Sequence, residues 1–241
     1  MIKHLRAIAF DLDDTLWEIH PVLERAELAV RTWLAENCPR IAERLSLEEM
    51  RAARMRVALD EPHQAHDMTY LRRTALAQHA REFGYDEAIA EAALEVFLGA
   101  RNELSPFDDV LPALEHLRSR YVLATLSNGN ADLERIGLAG WFALSLNART
   151  VGVAKPHPRC FERLAGELAL PPHAILYVGD DPELDVEAAR GAGFATAWMN
   201  RRDTPWPAEL RPADLAVRDC LELARALESV PARSPSSSAA R

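Results

Sequence analysis

Residues 7–16 read AIAFDLDDTL. Four apolar residues, Ala7 to Phe10, run straight into three acids, Asp11, Asp13 and Asp14. A short apolar run that ends in charge has the character of a buried strand reaching the edge of its sheet. Side chains alternate along an extended chain, so Asp11 and Asp13 are expected on one side of it. Two carboxylates about 4 Å apart repel by roughly 4 kcal/mol at an effective dielectric of about 20. Such a pair is tolerated where one acid holds a proton or a cation lies between them. The competing reading of DLD alone is a solvated acidic turn, and the other strand ends decide between the two.

Beyond Thr15 the strand character disappears. Residues 18–104 contain only two glycines, Gly84 and Gly99, and their apolar residues recur at helical spacing. Pro21 can open a first helix, which Pro39 ends. Ser46 with Glu49 forms a capping box for SLEEMRAARMRVAL. Two further helices are expected at about 68–83 and 86–103, the second with Asp86 as N-cap. From Pro106 the chain alternates apolar runs (YVLATLS, FALSLNA, AILYVGD, FATAWMN, DLAVRD) with helical segments. Continuous apolar strands between helices predict a parallel sheet covered on both faces. The first strand has no partner near it in sequence, so it is assigned to the same sheet. The expected fold class is therefore α/β: a Rossmann-like parallel-sheet core, residues 1–17 and 106–230, interrupted after its first strand by a helical-bundle cap, residues 18–105. Residues 231–241, small, polar and proline-containing, are expected to be a disordered tail.

Active groups of such a sheet gather at the carboxyl ends of its strands. The first end carries Asp11 and Asp13, and the second carries Ser127-Asn128-Gly129. The loop after the third holds Lys155-Pro156, and the fourth carries Gly179-Asp180-Asp181, with Asp185 four residues on. A hydroxyl, an amide and a lysine can hold phosphoryl oxygens. The added acids call for a cation, and hard carboxylate oxygens suit Mg²⁺.

These four stations, DLDDT, SN, KP and GDDPELD, resemble the motif set of the haloacid dehalogenase-like hydrolases over almost the whole chain to about residue 230. The resemblance implies a Mg²⁺-dependent phosphoric monoester hydrolase. Asp11 would attack phosphorus and form an aspartyl-phosphate. Asp13 would protonate the leaving oxygen and then activate water. Mg²⁺ would be held by Asp11, the Asp13 backbone carbonyl and Asp180. Ser127, Asn128 and Lys155 would bind the phosphoryl group. Asp185 would orient Lys155 or a metal-bound water, and Thr15 would orient the loop. Asp14 is expected to cap the turn, and Asp181 to join the metal shell or begin an exposed helix. Dehalogenases of the family lack the second acid, so Asp13 argues for phosphate esters. The cap lacks lysine, which excludes a Schiff-base route. A sugar-phosphate mutase and a phosphoglycolate phosphatase-like enzyme are the alternatives, with a non-enzymatic binding role disfavoured because no station is degraded.

A finer resemblance runs through FDLDDTLW-x-x-x-P, HD-x-T-x-x-R at 66–72, SNGNA at 127–131 and VGDD-x-x-x-D. These look like bacterial phosphatases acting on flavin mononucleotide and 5-amino-6-(5-phosphoribitylamino)uracil. The implied substrate is a planar heterocycle on a phosphorylated polyol. Trp17 is then a candidate stacking wall, against the alternative of a core or hinge residue. Arg72 is a candidate substrate contact, against a solvated helix face, and His63 and His66 form no evident metal pair.

Composition bounds the partners. The 241 residues are 49% hydrophobic and 27% charged, with a net charge of −9. Nothing favours a nucleic acid or a membrane surface, so the expected partner is a small-molecule phosphate ester, the protein acting as monomer or homodimer. Lys3 and Lys155 are the only lysines. Three dispersed cysteines suggest a reducing compartment, and the first residues reach acids too soon for a secretion signal. A cytoplasmic location is the expectation.

Overall fold

The chain leaves its first strand for a set of helices and returns to the same sheet. The computed structural model describes residues 4–228, so the expected tail at 231–241 lies outside the described residues. Strand β1 (Ala7–Phe10) is fully buried, and it pairs in parallel with β2 (Val122–Ser127) on one side and β4 (Ile175–Gly179) on the other. Strands β3 (Leu144–Asn147), β5 (Ala195–Met199) and β6 (Leu215–Val217) complete a six-stranded sheet in the order β3-β2-β1-β4-β5-β6. Every pairing is parallel. The register sets Ala9 opposite Ala124 and Tyr177, so two small residues leave room for the Tyr177 ring at the centre of the sheet. Both faces are buried. One packs Ile8, Phe10, Leu114 and Leu223 together, the other Ala9, Phe161, Leu164 and Tyr177. The expected α/β core with an inserted helical cap is the architecture observed.

The cap holds α1 (His20–Asn37), α2 (Pro39–Arg44), α3 (Leu47–Asp60), α4 (Met68–Glu82) and α5 (Ile89–Asn102). Pro39 ends no more than one helix: it also opens α2, a short helix absent from the sequence reading, because proline's fixed φ suits a first turn. The Ser46–Glu49 capping box is present, and Asp67 caps α4 by accepting from the Thr69 and Tyr70 amides. Asp86 spends its carboxylate on a turn, accepting from the Ala88 amide, so α5 begins later than expected and without a side-chain cap. Val30, Leu34, Ile41, Leu76, Leu94 and Phe97 form a separate apolar centre for the cap. The chain re-enters the core where the Phe107 amide donates to the Leu16 carbonyl at 2.9 Å. Helices α6 (Val110–Arg118), α7 (Leu133–Ile136), α8 (Ala148–Val151), α9 (Pro158–Leu168), α10 (Ala188–Gly191) and α11 (Cys220–Glu228) belong to the core. No helix among the described residues is long and apolar enough to cross a membrane.

One buried acid braces the cap. Glu27 on α1 accepts from Arg51 Nε and Arg54 Nη2 on α3, each at 2.7 Å. Burial works to raise its pKa, but the bond from Arg51 and the charges of Arg54 and Arg51 outweigh it, and the carboxyl sits below its ordinary value. A lowered carboxyl contributes stability that is complete above the unfolded value and lost as pH falls through the folded one. Glu27→Gln is expected to cost about 1–3 kcal/mol at pH 7, because two guanidinium groups lose a charged acceptor. The gap to wild type should close below about pH 4. Urea unfolding of both proteins across pH measures it, and a gap independent of pH would contradict the ion-pair account.

Candidate active site

Asp11 continues β1 by one bond, its amide donating to the Val178 carbonyl at 2.8 Å. The chain then turns sharply. The amides of Thr15 and Leu16 both donate to the Leu12 carbonyl, and Asp14 takes a left-handed φ of 59°. Asp14 holds that turn by accepting from the Ile19 amide at 3.1 Å, the capping role expected of it. Because the strand ends at Phe10, strand alternation does not carry through to Asp13. The carboxylates of Asp11 and Asp13 are accordingly bound to different partners.

Asp11 is buried beside Lys155, whose Nζ donates to Asp11 Oδ1 at 2.6 Å, Asp185 Oδ1 at 2.6 Å and the Tyr177 hydroxyl at 3.0 Å. An ammonium has three protons, so all its donors are in use. Burial alone would lower the Lys155 pKa, but the charges of Asp11 and Asp185 reverse that and hold it well above its ordinary value. The Tyr177 hydroxyl donates its own hydrogen bond to the Leu126 carbonyl at 2.7 Å. Asp185 also accepts from the Asp181 amide at 3.0 Å, and of its two expected roles the one visible here is orienting Lys155. A Cβ on Gly179 would stand 2.2 Å from Asp185 Oδ2, so only glycine permits this approach.

Asn128 was expected to help hold phosphate through its amide. That amide is instead committed to the lysine loop: Oδ1 accepts from the Lys155 amide at 2.7 Å and Nδ2 donates to its carbonyl at 3.0 Å. Ser127 is buried, with Oγ accepting from the Gly129 amide at 3.1 Å, so its hydroxyl proton can be donated to a bound anion. Asp181 caps the π-helical turn Pro182–Glu187 by accepting from the Glu183 and Leu184 amides, the helix-start alternative of its two expected roles.

Two further expectations are corrected. Trp17 is fully buried and packs in the core under the sheet, so it presents no wall for a substrate ring. Its indole N–H donates to Asp13 Oδ1 at 2.7 Å. Arg72 lies 3.3 Å over the Phe97 ring and lines a small void with Val30, Met50 and His79 inside the cap. Desolvation there pulls its pKa down to about 9, and its guanidinium faces cap helices, not a substrate. His63 is exposed on a short turn, whereas His66 faces the seam between cap and core.

Asp11, Asp180 and Asp185 form a cluster whose ligand atoms all lie within 4.8 Å of one another. Three carboxylates thus face one ammonium. Burial drives the Asp11 carboxyl upward against the pull of Lys155, with Asp185 and Asp180 adding to the rise. Asp180 is pushed to about 7 by burial and by the charges of Asp185 and Asp14, although Thr15 donates to its Oδ1 at 3.2 Å. A deficit of positive charge among hard oxygen donors fits Mg²⁺.

A family model for haloacid dehalogenase-like hydrolases matches residues 5–193. The chain belongs to that family. It is 30% identical over 219 residues to the 5-amino-6-(5-phospho-D-ribitylamino)uracil phosphatase YigB of Escherichia coli K12, covering 88% of this chain and 92% of that protein. It is also similar to a crystal structure titled 2-haloacid dehalogenase from Pseudomonas syringae pv. Tomato DC3000, with a TM-score of 0.88 and 34% identity over 93% of this chain and 98% of that one. The (S)-2-haloacid dehalogenase 4A of Burkholderia cepacia is 27% identical over 92% of this chain and 95% of its own length. The protein is thus an enzyme with the acids and lysine of a phosphoric monoester hydrolase.

The cap of this haloacid dehalogenase-like hydrolase sits on its core. Asn130 Nδ2 donates to Thr69 Oγ1 at 3.2 Å, the Asp132 amide to Asn102 Oδ1 at 2.8 Å, and Arg149 pairs with Asp67 at 3.3 Å. The HD-x-T-x-x-R run is therefore a seam motif, with Asp67 and Thr69 touching the core. A cavity of about 420 Å³ opens at this seam beside Asn128 and Gly129. Asn130, Ser145, Asn147 and Arg149 are among its lining residues with the His66 ring, and no Phe, Tyr or Trp is among them. Three residues at the site carried no recognisable signal in the sequence. Tyr177 alternates as an ordinary strand residue, Arg101 reads as one more charge on α5, and Arg201 follows a strand end. Arg201 donates from Nε to the Thr15 carbonyl at 2.8 Å and grips Asp109 with both Nη atoms at 3.0 and 2.9 Å.

The raised Asp180 gives a signed prediction. A carboxyl held up to about 7 loses stability for the fold as pH rises from its ordinary value through 7, because the buried group must ionise. In metal-free buffer Asp180→Asn should melt above wild type at pH 8, the gain shrinking toward pH 5. Added Mg²⁺ should raise the wild-type melting temperature more than that of the variant. Differential scanning calorimetry with and without EDTA reads both effects, and a variant melting below wild type at pH 8 would contradict the assignment.

Proposed function

We propose that the protein hydrolyses small-molecule phosphate monoesters in a Mg²⁺-dependent reaction that passes through an aspartyl-phosphate on Asp11. The observation that carries this reading is Asp13, a second carboxylate whose Oδ2 lies against Gly129, itself a lining residue of the seam cavity. An alkoxide is a poor leaving group and needs a proton as the P–O bond breaks. A halide leaves without one, so a dehalogenase has no use for this acid.

Asp11 attacks phosphorus, and the developing charge on the phosphoryl oxygens is met by the Ser127 hydroxyl and the Lys155 ammonium. Lys155 reaches them by exchanging one of its present bonds. Asp13 gives its proton to the leaving oxygen, then takes one from the water that opens the acyl phosphate. Asp11, Asp180 and the Asp13 backbone carbonyl would hold Mg²⁺, with Asp185 within reach, and the ion would offset the repulsion between anionic nucleophile and anionic ester. Thr15 keeps Asp180 in place. The cap, residues 18–105, closes the site about hinges at 17–19 and 105–107 and excludes water during attack.

For the substrate, the likeness to the Escherichia coli ribitylaminouracil phosphatase and the polar lining of the cavity favour a phosphorylated polyol. With Trp17 buried, the ring that lines the cavity is His66, and the proposed substrate class is a heterocycle on a phosphorylated polyol, flavin mononucleotide and ribitylaminouracil phosphate alike. The dehalogenase reading rests on the names of relatives such as the Pseudomonas syringae structure and the Burkholderia cepacia enzyme. One panel separates them: polyol, sugar and flavin phosphates, phosphoglycolate and 2-haloacids, each with Mg²⁺ and with EDTA. Phosphate release from polyol esters, lost in EDTA, is the expected result. Halide release without phosphate release would overturn it, and an isomerised sugar phosphate would indicate a mutase. Asp11→Asn is expected to abolish turnover, a loss of at least about 10³-fold, while the folded structure, read by circular dichroism, is retained.

A further inference from the structure

Asp13 is held from the cap. Arg101, near the end of α5, is 1% exposed, and its Nη2 donates to Asp13 Oδ1 at 2.7 Å. The Trp17 indole donates to that same oxygen at 2.7 Å. One is a cap residue and the other a core residue, and together they occupy a single lobe of the carboxylate. The second oxygen, Oδ2, is left against the Gly129 backbone, 2.4 Å from where a Cβ would stand. Gly129 is also where the polar cavity begins. One oxygen of Asp13 is thus taken by two donors, and the other faces Gly129.

We propose that Arg101 is a positioning residue that aims Asp13 for proton transfer and makes that transfer depend on the cap being seated on the core. Trp17 alone, one neutral donor, leaves the carboxylate free to rotate about its Cβ–Cγ bond. With Arg101 in place a charge-assisted bond and an indole bond converge on Oδ1, and the rotation stops. Cap opening withdraws Arg101, so proton delivery is assembled only in the closed, water-poor state. The cost of this arrangement is visible: Arg101 Nη1 is buried with no hydrogen-bond partner. Losing such a partner is costly to a stability-driven ion pair, whereas a site that must present a cation to a carboxylate tolerates it. The other cap–core ion pairs, Arg149–Asp67 and Arg135–Glu95, are at least half solvent-exposed on one side and hold the cap only weakly.

The inference rests on the phosphatase reading, and its test separates the two. Positioning a general acid matters for an alkoxide leaving group and little for a stabilised phenolate. Wild type, Arg101→Met and Arg101→Lys are compared on a polyol phosphate and on 4-nitrophenyl phosphate. The quantity read is kcat/KM, which covers only the steps through departure of the leaving group. Arg101→Met should lose at least about 10-fold more on the alkyl ester than on the aryl ester. Arg101→Lys, which keeps a cation, should recover part of the difference. The ratio of the two substrates on one preparation does not depend on how much of the variant is folded. In an Asp13→Asn background, Arg101→Met should add no further discrimination, since the group it positions is gone. Equal losses on both esters, or a full additional loss in the Asp13→Asn background, would overturn the inference and leave the phosphatase reading standing. A wild-type enzyme that hydrolyses neither ester would overturn both.

Discussion

One buried ammonium organises the catalytic end of the sheet. Lys155 ties Asp11 at the end of β1 to Asp185 after β4 and to Tyr177 within β4. Its loop is pinned to the end of β2 by both ends of the Asn128 amide. An ammonium taken from water carries a desolvation penalty of several kcal/mol, recovered only when every proton finds a strong acceptor. That condition needs β1 and β4 side by side, so that Asp11, Tyr177 and Asp185 meet one nitrogen, with β2 next to β1 to hold the lysine loop through Asn128. It also explains the demand for small neighbours, since Gly179 leaves the space that Asp185 occupies.

The same arrangement leaves negative charge in excess, which is what makes the site reactive. Asp180 receives a hydroxyl bond from Thr15 and no ammonium, and its raised pKa records the deficit. Perturbed acids of this kind concentrate where chemistry is done. A divalent cation held by this cluster would relieve the repulsion and stabilise the fold, which would link metal binding and stability at Asp180. Around this centre a second cation, Arg201, fixes the frame. It joins the catalytic-loop carbonyl of Thr15 to Asp109, which in turn accepts from the Cys220 amide. The catalytic loop, the point where the chain returns from the cap and the last helix are thereby one rigid piece. The cap is held differently, by side-chain bonds across a polar seam, one of which ends on Asp13.

Most of the architecture was readable from the chain because it follows from short-range rules. Apolar runs bounded by glycine, proline and acids mark the strands, and their helical intervals require parallel pairing. The stations at Asp11, Ser127, Lys155 and Asp180 were visible for the same reason: each directly follows a strand or its loop, and such ends share one edge. The misreadings have a common physical origin. Trp17, Arg72 and Asn128 were judged by what their side chains can do, and each had been claimed by a neighbour distant in sequence. Trp17 is taken by the core, Arg72 by the Phe97 ring, and Asn128 by the backbone 27 residues away. Tyr177, Arg101 and Arg201 went unnoticed because nothing local distinguishes a hydroxyl or a guanidinium that meets a catalytic group from one that meets water.

Residue order and residue type alone settle which groups stand at the carboxyl edge of this sheet, since strand direction and alternation are local properties. They settle the family as well. Which oxygen of Asp13 is free, which carboxylates share the lysine, and that Trp17 goes to the core are decided by tertiary contacts, the lysine's reaching across 144 residues of chain. Those contacts exist only once two separately packed bodies, sheet and cap, are brought against each other, and no periodicity in the sequence encodes that meeting.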